Sequence, residues 1–180
     1  KGLELIYAPI QESNMSRPLS QFTKPVVIGT TKEEGNIYIR NESRKLSPER
    51  FVEVMTLNDI HLHISQAQTG KDQARMVTTH YFETPAISFL NQLDNNPHCW
   101  KLRFDWCLSN ASPFQSAYHI LDLVFWFGKL EILKAHGVNS LEHERHLSKH
   151  MIDDLIYFAT YHTMPWPSYS PQTPYCYIYK

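Results

Sequence analysis

A run of alternating side chains between Trp100 and Leu108 constrains the fold of this chain more than any other feature. Every second residue of the run is apolar, and the residues between them are charged, polar or small. The apolar positions are Trp100, Leu102, Phe104, Trp106 and Leu108, and the intervening positions are Lys101, Arg103, Asp105 and Cys107. Such alternation is typical of a strand in an antiparallel sheet that has one covered face. The run therefore predicts an α+β fold with helices on one side of a sheet.

Further strands are predicted in residues 1–110, which we expect to be mainly β. Short runs rich in β-branched and aromatic residues, bounded by Pro, Gly or Asn, are typical of strands. These runs are Leu3–Ala8, Pro25–Thr30, Asn36–Arg40, Asp59–Ser65 and Arg75–Glu83, and the alternating end Tyr175–Tyr179 adds a candidate edge strand. The expected sheet is antiparallel and contains about five to seven strands.

Two long helices are predicted over residues 111–163, where they would cover one face of that sheet. They run from Ser112-Pro113 to His136-Gly137 and from Asn139 to about His162. A shorter helix is expected at Ser47–Met55, because Ser47 can cap it and proline follows at the first helical position. Another is expected at Ala86–Leu93, which is followed by a turn signal. Residues 164–180 hold four prolines and predict an extended, aromatic-rich tail. No linker separates parts of different composition, so a single globular domain over residues 1–180 is expected.

Length and charge exclude several classes of protein. The 180 residues are enough to bury one hydrophobic core, and a formal net charge of −1 argues against nucleic-acid or membrane binding by bulk electrostatics. The most apolar stretch, 120–127, contains Asp122 and is far too short to span a membrane. Three cysteines without a CxxC pair favour a reducing compartment, cytoplasmic or nuclear. Secretion stays possible, because the sequence begins at Lys1 and a removed signal peptide would be invisible.

Four acidic and imidazole side chains on the last predicted helix form a candidate metal site. His143, His146 and His150 lie three and four residues apart, and Asp154 follows one turn later. Residues with this spacing share one helix face, and imidazole and carboxylate groups bind zinc or manganese. The alternative is a solvated or partner-binding face, because the apolar stripe of the same helix lies roughly opposite. In that interpretation the protein needs no cofactor.

Three short patterns offer weak catalytic candidates. The pair His61 and His63, with a leucine between them, resembles the metal-binding triplet of HUH endonucleases. Arg145 precedes a histidine by five residues, which resembles the Arg-x4-His signature of HEPN-type ribonucleases. His63 and His146 are each followed two residues later by serine, which resembles the twin motifs of two-histidine phosphoesterases. A polar sheet face and a solvated helix face explain the same residues.

The predicted function follows from the absence of a complete catalytic set. Cys107 could be activated by His80, His98 or His119, but no nucleophile signature surrounds it, which favours a structural cysteine. Aromatic side chains on the last helix and in the tail are typical interface anchors, namely Tyr157, Tyr161, Trp166 and Tyr169. We therefore expect a non-enzymatic protein-interaction or regulatory domain that binds a protein partner. The alternative is a metal-dependent hydrolase or nuclease that uses the helical histidine cluster.

Overall fold

Parallel strands form the sheet in the computed structural model, which describes residues 22–39, 44–93, 96–108 and 114–180. Within those ranges the sheet has three strands, β1 (Val26–Thr31), β2 (Cys99–Phe104) and β3 (Tyr177–Tyr179). Their order is β1-β2-β3, and both neighbouring pairs are parallel. Val27 lies opposite Trp100, and Leu102 lies opposite Tyr177.

The predicted antiparallel sheet of about five to seven strands is therefore wrong. Parallel neighbours need a long crossover connection, and helices provide it between β1 and β2. The alternation in β2 is real, since its apolar face is buried, but the opposite face is covered as well. Cys99 is buried there, and Lys101 and Arg103 are half-buried rather than exposed. Helices on both faces of a parallel sheet make the fold α/β.

Six α-helices lie within the described part of the chain. They are α1 (Pro48–Thr56), α2 (Gly70–Thr78), α3 (Thr84–Gln92), α4 (Leu121–Trp126), α5 (Glu131–Ala135) and α6 (Glu142–Tyr161). Two 3₁₀ turns cover Glu34–Ile37 and Ile64–Gln66, and a π-helical turn, Thr79–Glu83, joins α2 to α3. None of the helices among the described residues is long and apolar enough to cross a membrane.

Three predicted strands between β1 and β2 are helical or irregular instead. Arg75–Glu83 belongs to α2 and the π-helical turn, because Thr69 and Asp72 form a capping box that starts a helix there. Asp59–Ser65 forms no strand, since His63 caps a 3₁₀ turn with Gln66. The predicted strand Asn36–Arg40 begins inside the other 3₁₀ turn. Leu3–Ala8 lies outside the described residues.

Helix predictions were more accurate at the ends than in the middle. Ser47 caps α1, and α6 ends at Tyr161 with His162 as its C-cap, close to the expected end. The long helix predicted from Ser112 is wrong, because α4 and α5 are separate and Gly128 between them takes a left-handed φ of 61°. A left-handed residue cannot continue a right-handed helix.

The largest core cluster lies between the sheet and α4 and α6. It contains the apolar face of β2 with side chains from both helices and from the tail, including Phe104, Phe125, Met151 and Tyr179. A second cluster on the other sheet face joins Cys99 to Leu90 of α3. These two core clusters, one on each face of the sheet, hold the strands in place. The loops that form the candidate site project from the ends of β1 and β2.

Candidate active site

Two loops meet at the carboxyl ends of β1 and β2, where open parallel sheets place their functional sites. The first is the turn directly after β1, which carries Glu33 and Glu34. The second follows β2 and carries His119 just before α4. Because β1 and β2 are neighbours in the sheet, residues far apart along the chain come together at this edge.

Glu34 and His119 form a hydrogen-bonded pair in this position. Glu34 Oε2 lies 2.7 Å from His119 Nδ1, and the other carboxylate oxygen accepts a 2.6 Å bond from the backbone N–H of Thr31. Glu34 is 4% exposed, whereas the His119 side chain is 35% exposed. The carboxylate is thus fixed inside the fold, and the imidazole connects it to the surface.

The hydrogen bond assigns the tautomer of His119. An ionised carboxylate can only accept, so Nδ1 must carry the proton that Glu34 binds. In the neutral ring the other nitrogen, Nε2, then has a free lone pair and can accept a proton. A carboxylate that holds an imidazole in this orientation is the arrangement used to generate a general base.

Aromatic rings surround the imidazole. The ring of Phe82 lies 5.0 Å from that of His119, and Tyr38 lies 6.2 Å from it, measured between centroids. Phe82 projects from the π-helical turn, a kind of irregularity that often occurs at functional sites. Directly after His119, Ile120 has a φ of 68°, which is rare for a β-branched residue.

An open cavity of about 370 Å³ adjoins the pair. Most of its wall is apolar or aromatic, and the lining includes Tyr81, Phe82, Ala86, Ile120 and Leu123. Asp122 also lines it, and burial raises the pKa of that carboxyl, with the nearby charge of Glu34 raising it further. The cavity therefore combines an apolar wall with a buried carboxylate and a partly exposed imidazole, which is typical of a small-molecule site.

Comparison with known proteins shows the family to which the chain belongs. The model of the carboxylesterase family matches residues 8–177, which is more than half of the chain. The chain belongs to the carboxylesterase family. The para-nitrobenzyl esterase of Bacillus subtilis (strain 168) is 26% identical over 160 residues, which are 83% of this chain and 32% of that protein.

Solved structures agree with the family assignment. A PNB esterase structure matches with a TM-score of 0.71 at 26% identity, covering 87% of this chain and 34% of the esterase chain. A thermophilic PNB esterase matches with a TM-score of 0.73 at 24% identity, covering 86% and 34%, and supports the fold alone. This carboxylesterase-family chain spans about a third of the length of these relatives.

Family membership overturns both functions predicted from the sequence. Carboxylesterases are hydrolases, so the non-enzymatic regulatory or interaction domain is wrong. The alternative, a metal-dependent hydrolase or nuclease, is wrong for the same reason. Among the described residues, no group of three or more His, Cys, Asp or Glu side chains is placed to hold a metal ion.

The predicted metal residues separate into two groups on α6. His143 and His146 are exposed, whereas Asp154 is buried. Asp154 accepts a 2.7 Å bond from the hydroxyl of Tyr179 and lies 3.0 Å from His150 Nε2. The tail strand β3 thus covers the end of the histidine face and binds the carboxylate that was expected to bind a metal.

The weak catalytic candidates lie apart from the acid–imidazole pair. His61 and His63 are exposed in the segment before α2, and His63 Nδ1 bonds with Ser65 Oγ at 2.7 Å. Arg145 and His146 are exposed on α6. Both resemblances, to two-histidine and to His-hydrophobic-His sites, need their histidines on strands, whereas His61 and His63 lie in a segment that forms no strand and His146 lies on α6.

Of the four predicted binding residues, two are core residues. Trp166 is 7% exposed and stacks on Tyr177 at 4.2 Å, and Tyr169 packs against Leu90 and Cys99. Both are buried because the tail crosses the sheet and ends as β3. Tyr157 and Tyr161 are exposed on α6, with their rings 4.7 Å apart.

Glu33 and Glu34 are absent from the predicted site residues, and His119 enters the predictions only as a group that could activate Cys107. The sequence contains one signal for the position of these glutamates: the run Val26–Ile28, just before them, is apolar without alternation. Such runs are typical of strands in parallel sheets, and polar residues that directly follow them lie where sites form. The paired glutamates after this strand were therefore detectable.

Proposed function

We propose that Glu34 and His119 are the acid and the base of a serine-hydrolase triad, and that the protein hydrolyses carboxylic esters. The 2.7 Å contact between Glu34 Oε2 and His119 Nδ1 is the observation that carries this proposal. The chain order also supports it, since hydrolases of the α/β type follow the order Ser, Asp or Glu, then His. The names of the para-nitrobenzyl esterase relatives indicate the same class of reaction.

The serine of the proposed triad is not assigned to a residue of this sequence. Such serines lie in a Gly-x-Ser-x-Gly turn, and none of the six glycines belongs to that pattern. Within the described ranges, no serine hydroxyl forms a hydrogen bond with His119. Because the chain spans about a third of its relatives' length, we propose that another part of the protein supplies the nucleophile.

In the proposed reaction, each of the two side chains has a separate role. His119 Nε2 takes the serine proton while the serine oxygen attacks the ester carbonyl carbon. The imidazolium then gives that proton to the departing alcohol as the carbon–oxygen bond breaks, which leaves an acyl-serine. Water then attacks the acyl-serine in the same way, with its proton passing through His119 to the serine oxygen, and the carboxylic acid product leaves. Glu34 keeps Nδ1 protonated throughout and stabilises the imidazolium, so the proposed chemistry requires no cofactor.

The cavity supports a neutral, apolar substrate. Its lining among the described residues includes five apolar or aromatic side chains beside two carboxyl groups, Glu34 and Asp122, and no lysine or arginine. An ester with an uncharged hydrocarbon or aromatic group would bury that group against Phe82 and Leu123. We therefore propose aromatic or medium-chain alkyl esters as the substrate class.

Substitution of the pair tests the proposal in the protein that contains this chain. Release of p-nitrophenolate from p-nitrophenyl butyrate measures kcat and KM. Glu34→Gln should lower kcat on the order of 10³–10⁴-fold, because an amide can donate to Nδ1 and select the wrong tautomer. His119→Gln should lower it at least as much.

Matched controls use the same substitutions at exposed positions. Glu53→Gln and His143→Gln change residues that are exposed on α1 and α6, so both should keep kcat within about twofold. Near-normal turnover by Glu34→Gln or His119→Gln would show that these residues are not the acid and the base.

A cytoplasmic or nuclear location remains part of the proposal. All three cysteines, Cys99, Cys107 and Cys176, are free thiols in the structure. Free thiols persist in reducing compartments, which supports this location. Fractionation of cells that express the tagged protein tests it, and recovery of the protein from the medium would contradict it.

A further inference from the structure

We infer that Glu33, the neighbour of the proposed triad acid, is a positioning residue that fixes the loop carrying His119. This inference rests on the proposed function, because it concerns the placement of the proposed base. The role is carried by a hydrogen-bond acceptor on the side chain and does not depend on the negative charge. Glu33 touches no reacting atom in this scheme.

Two hydrogen bonds join Glu33 to a single residue of the loop. The backbone N–H of Glu33 donates to the carbonyl of Ala117 at 2.9 Å. The backbone N–H of Ala117 donates in return to Glu33 Oε2 at 3.1 Å. Ala117 is completely buried, so an N–H group left without this acceptor would be costly. The two bonds close a ring between the turn after β1 and the loop after β2.

The position of Ala117 explains why this ring matters for the base. Ala117 lies two residues before His119, and Ile120 in its left-handed conformation lies directly after the histidine. The imidazole is therefore held between a clamped residue and a sharp turn into α4. Adjacent glutamates divide the task, since Glu34 orients the ring while Glu33 holds the backbone that bears it.

Small shifts in the position of a catalytic imidazole have a large effect on the reaction rate. Catalytic groups must be held within about 0.5 Å of their productive geometry, and a 1 Å misplacement can cost about 10²-fold in rate. Glu33→Ala leaves the Ala117 N–H without its acceptor and frees the loop to shift. We expect kcat to fall roughly 10- to 100-fold with KM changed less than about threefold, because the cavity wall stays in place.

The conservative variant separates positioning from charge. In Glu33→Gln the amide oxygen can still accept the Ala117 N–H, so kcat should stay within about threefold of wild type. If Glu33 acted by its charge on the imidazolium, the Gln variant would lose as much as the Ala variant, and that result would overturn the inference. Equal loss in both variants is thus the decisive negative outcome.

A second measurement does not depend on turnover. In ¹⁵N NMR spectra of the protein, the Nδ1–H of His119 should give a protected signal in wild type and in Glu33→Gln. In Glu33→Ala the signal should exchange faster or disappear. If wild type shows this signal but cleaves no ester, the proposed function fails while the positioning role stands; unchanged exchange in Glu33→Ala refutes the positioning role itself.

Discussion

Gly35→Ala is the substitution whose effect the structure defines most closely. A Cβ at Gly35 would lie 2.0 Å from the carbonyl oxygen of Ala74 and 2.8 Å from its carbon. Ordinary contacts begin near 3.4 Å, so the turn after β1 or helix α2 would have to move by about 1.4 Å. Both neighbours are backbone atoms of α2, which cannot rotate away as a side chain can. The glycine is therefore required by close packing, although its φ is not left-handed.

That displacement would break the contacts that hold Glu34. The Gly35 N–H donates to Thr78 Oγ1 at 2.9 Å, and Thr78 in turn donates to the same Ala74 carbonyl at 3.0 Å. Overpacking costs about 1–3 kcal/mol and a lost buried hydrogen bond about 1–3 kcal/mol, offset by up to ~1 kcal/mol from the stiffer unfolded chain. We expect Gly35→Ala to lower the free energy of unfolding by about 2–4 kcal/mol.

Urea unfolding followed by far-ultraviolet circular dichroism measures the loss, and ester hydrolysis measures its effect on the site. The turnover should fall about 10²-fold, because Glu34 moves with its neighbour. Gly29→Ala is the matched control for stability: its added Cβ would meet only the flexible end of the Leu102 side chain, so it should cost less than about 1 kcal/mol. If Gly35→Ala is as stable and as active as wild type, close packing against α2 does not fix the acid.

Three further predictions concern the core and the buried acids. Trp166→Ala should lower the free energy of unfolding by about 3–5 kcal/mol in urea, because the indole is buried and stacked on a tyrosine; a loss below about 1 kcal/mol would show that the tail is not part of the core. Burial and the bond to Asp154 raise the pKa of Tyr179 above its ordinary value of 10.0, so Tyr179→Phe should leave the amplitude of the tyrosine ultraviolet titration near pH 10 unchanged. Burial also raises the pKa of Asp122, so the native state binds this proton more tightly than the unfolded state, and stability falls as pH rises above 3.8. Asp122→Asn should gain stability relative to wild type from pH 3 to pH 7 in urea unfolding, and parallel pH profiles would contradict this.

Local patterns predicted the elements that depend on local chemistry. Ser47 followed by proline started α1, and the alternating residues of β2 bury their apolar face as expected. The positions of Ser47 and Trp100 in these elements follow from capping and from packing of neighbouring side chains. The direction of the sheet did not follow, because alternation reports which faces are covered and contains no information about strand direction.

The histidine content of the sequence favours α6, whereas the proposed Glu34–His119 pair lies in other parts of the chain. His143, His146 and His150 share a helix face, which is visible in the sequence because helical neighbours are three and four residues apart. His119 has no such local partner. Its acid lies 85 residues earlier, and only the side-by-side arrangement of β1 and β2 brings the two together. A single sequence contains no periodicity that connects residues across a parallel crossover.

Backbone contacts restrict the proposed Glu34–His119 pair more closely than the exposed histidines of α6. A base must keep one orientation, and Glu34, Thr31 and Ala117 restrict the His119 loop through backbone hydrogen bonds and the carboxylate. On α6, His143 and His146 are exposed, and only the third histidine of that face, His150, approaches the buried Asp154. Abundance of a titratable residue therefore predicts a polar surface, whereas in an open α/β sheet a candidate catalytic side chain is expected at a strand end, where a second loop can fix its orientation.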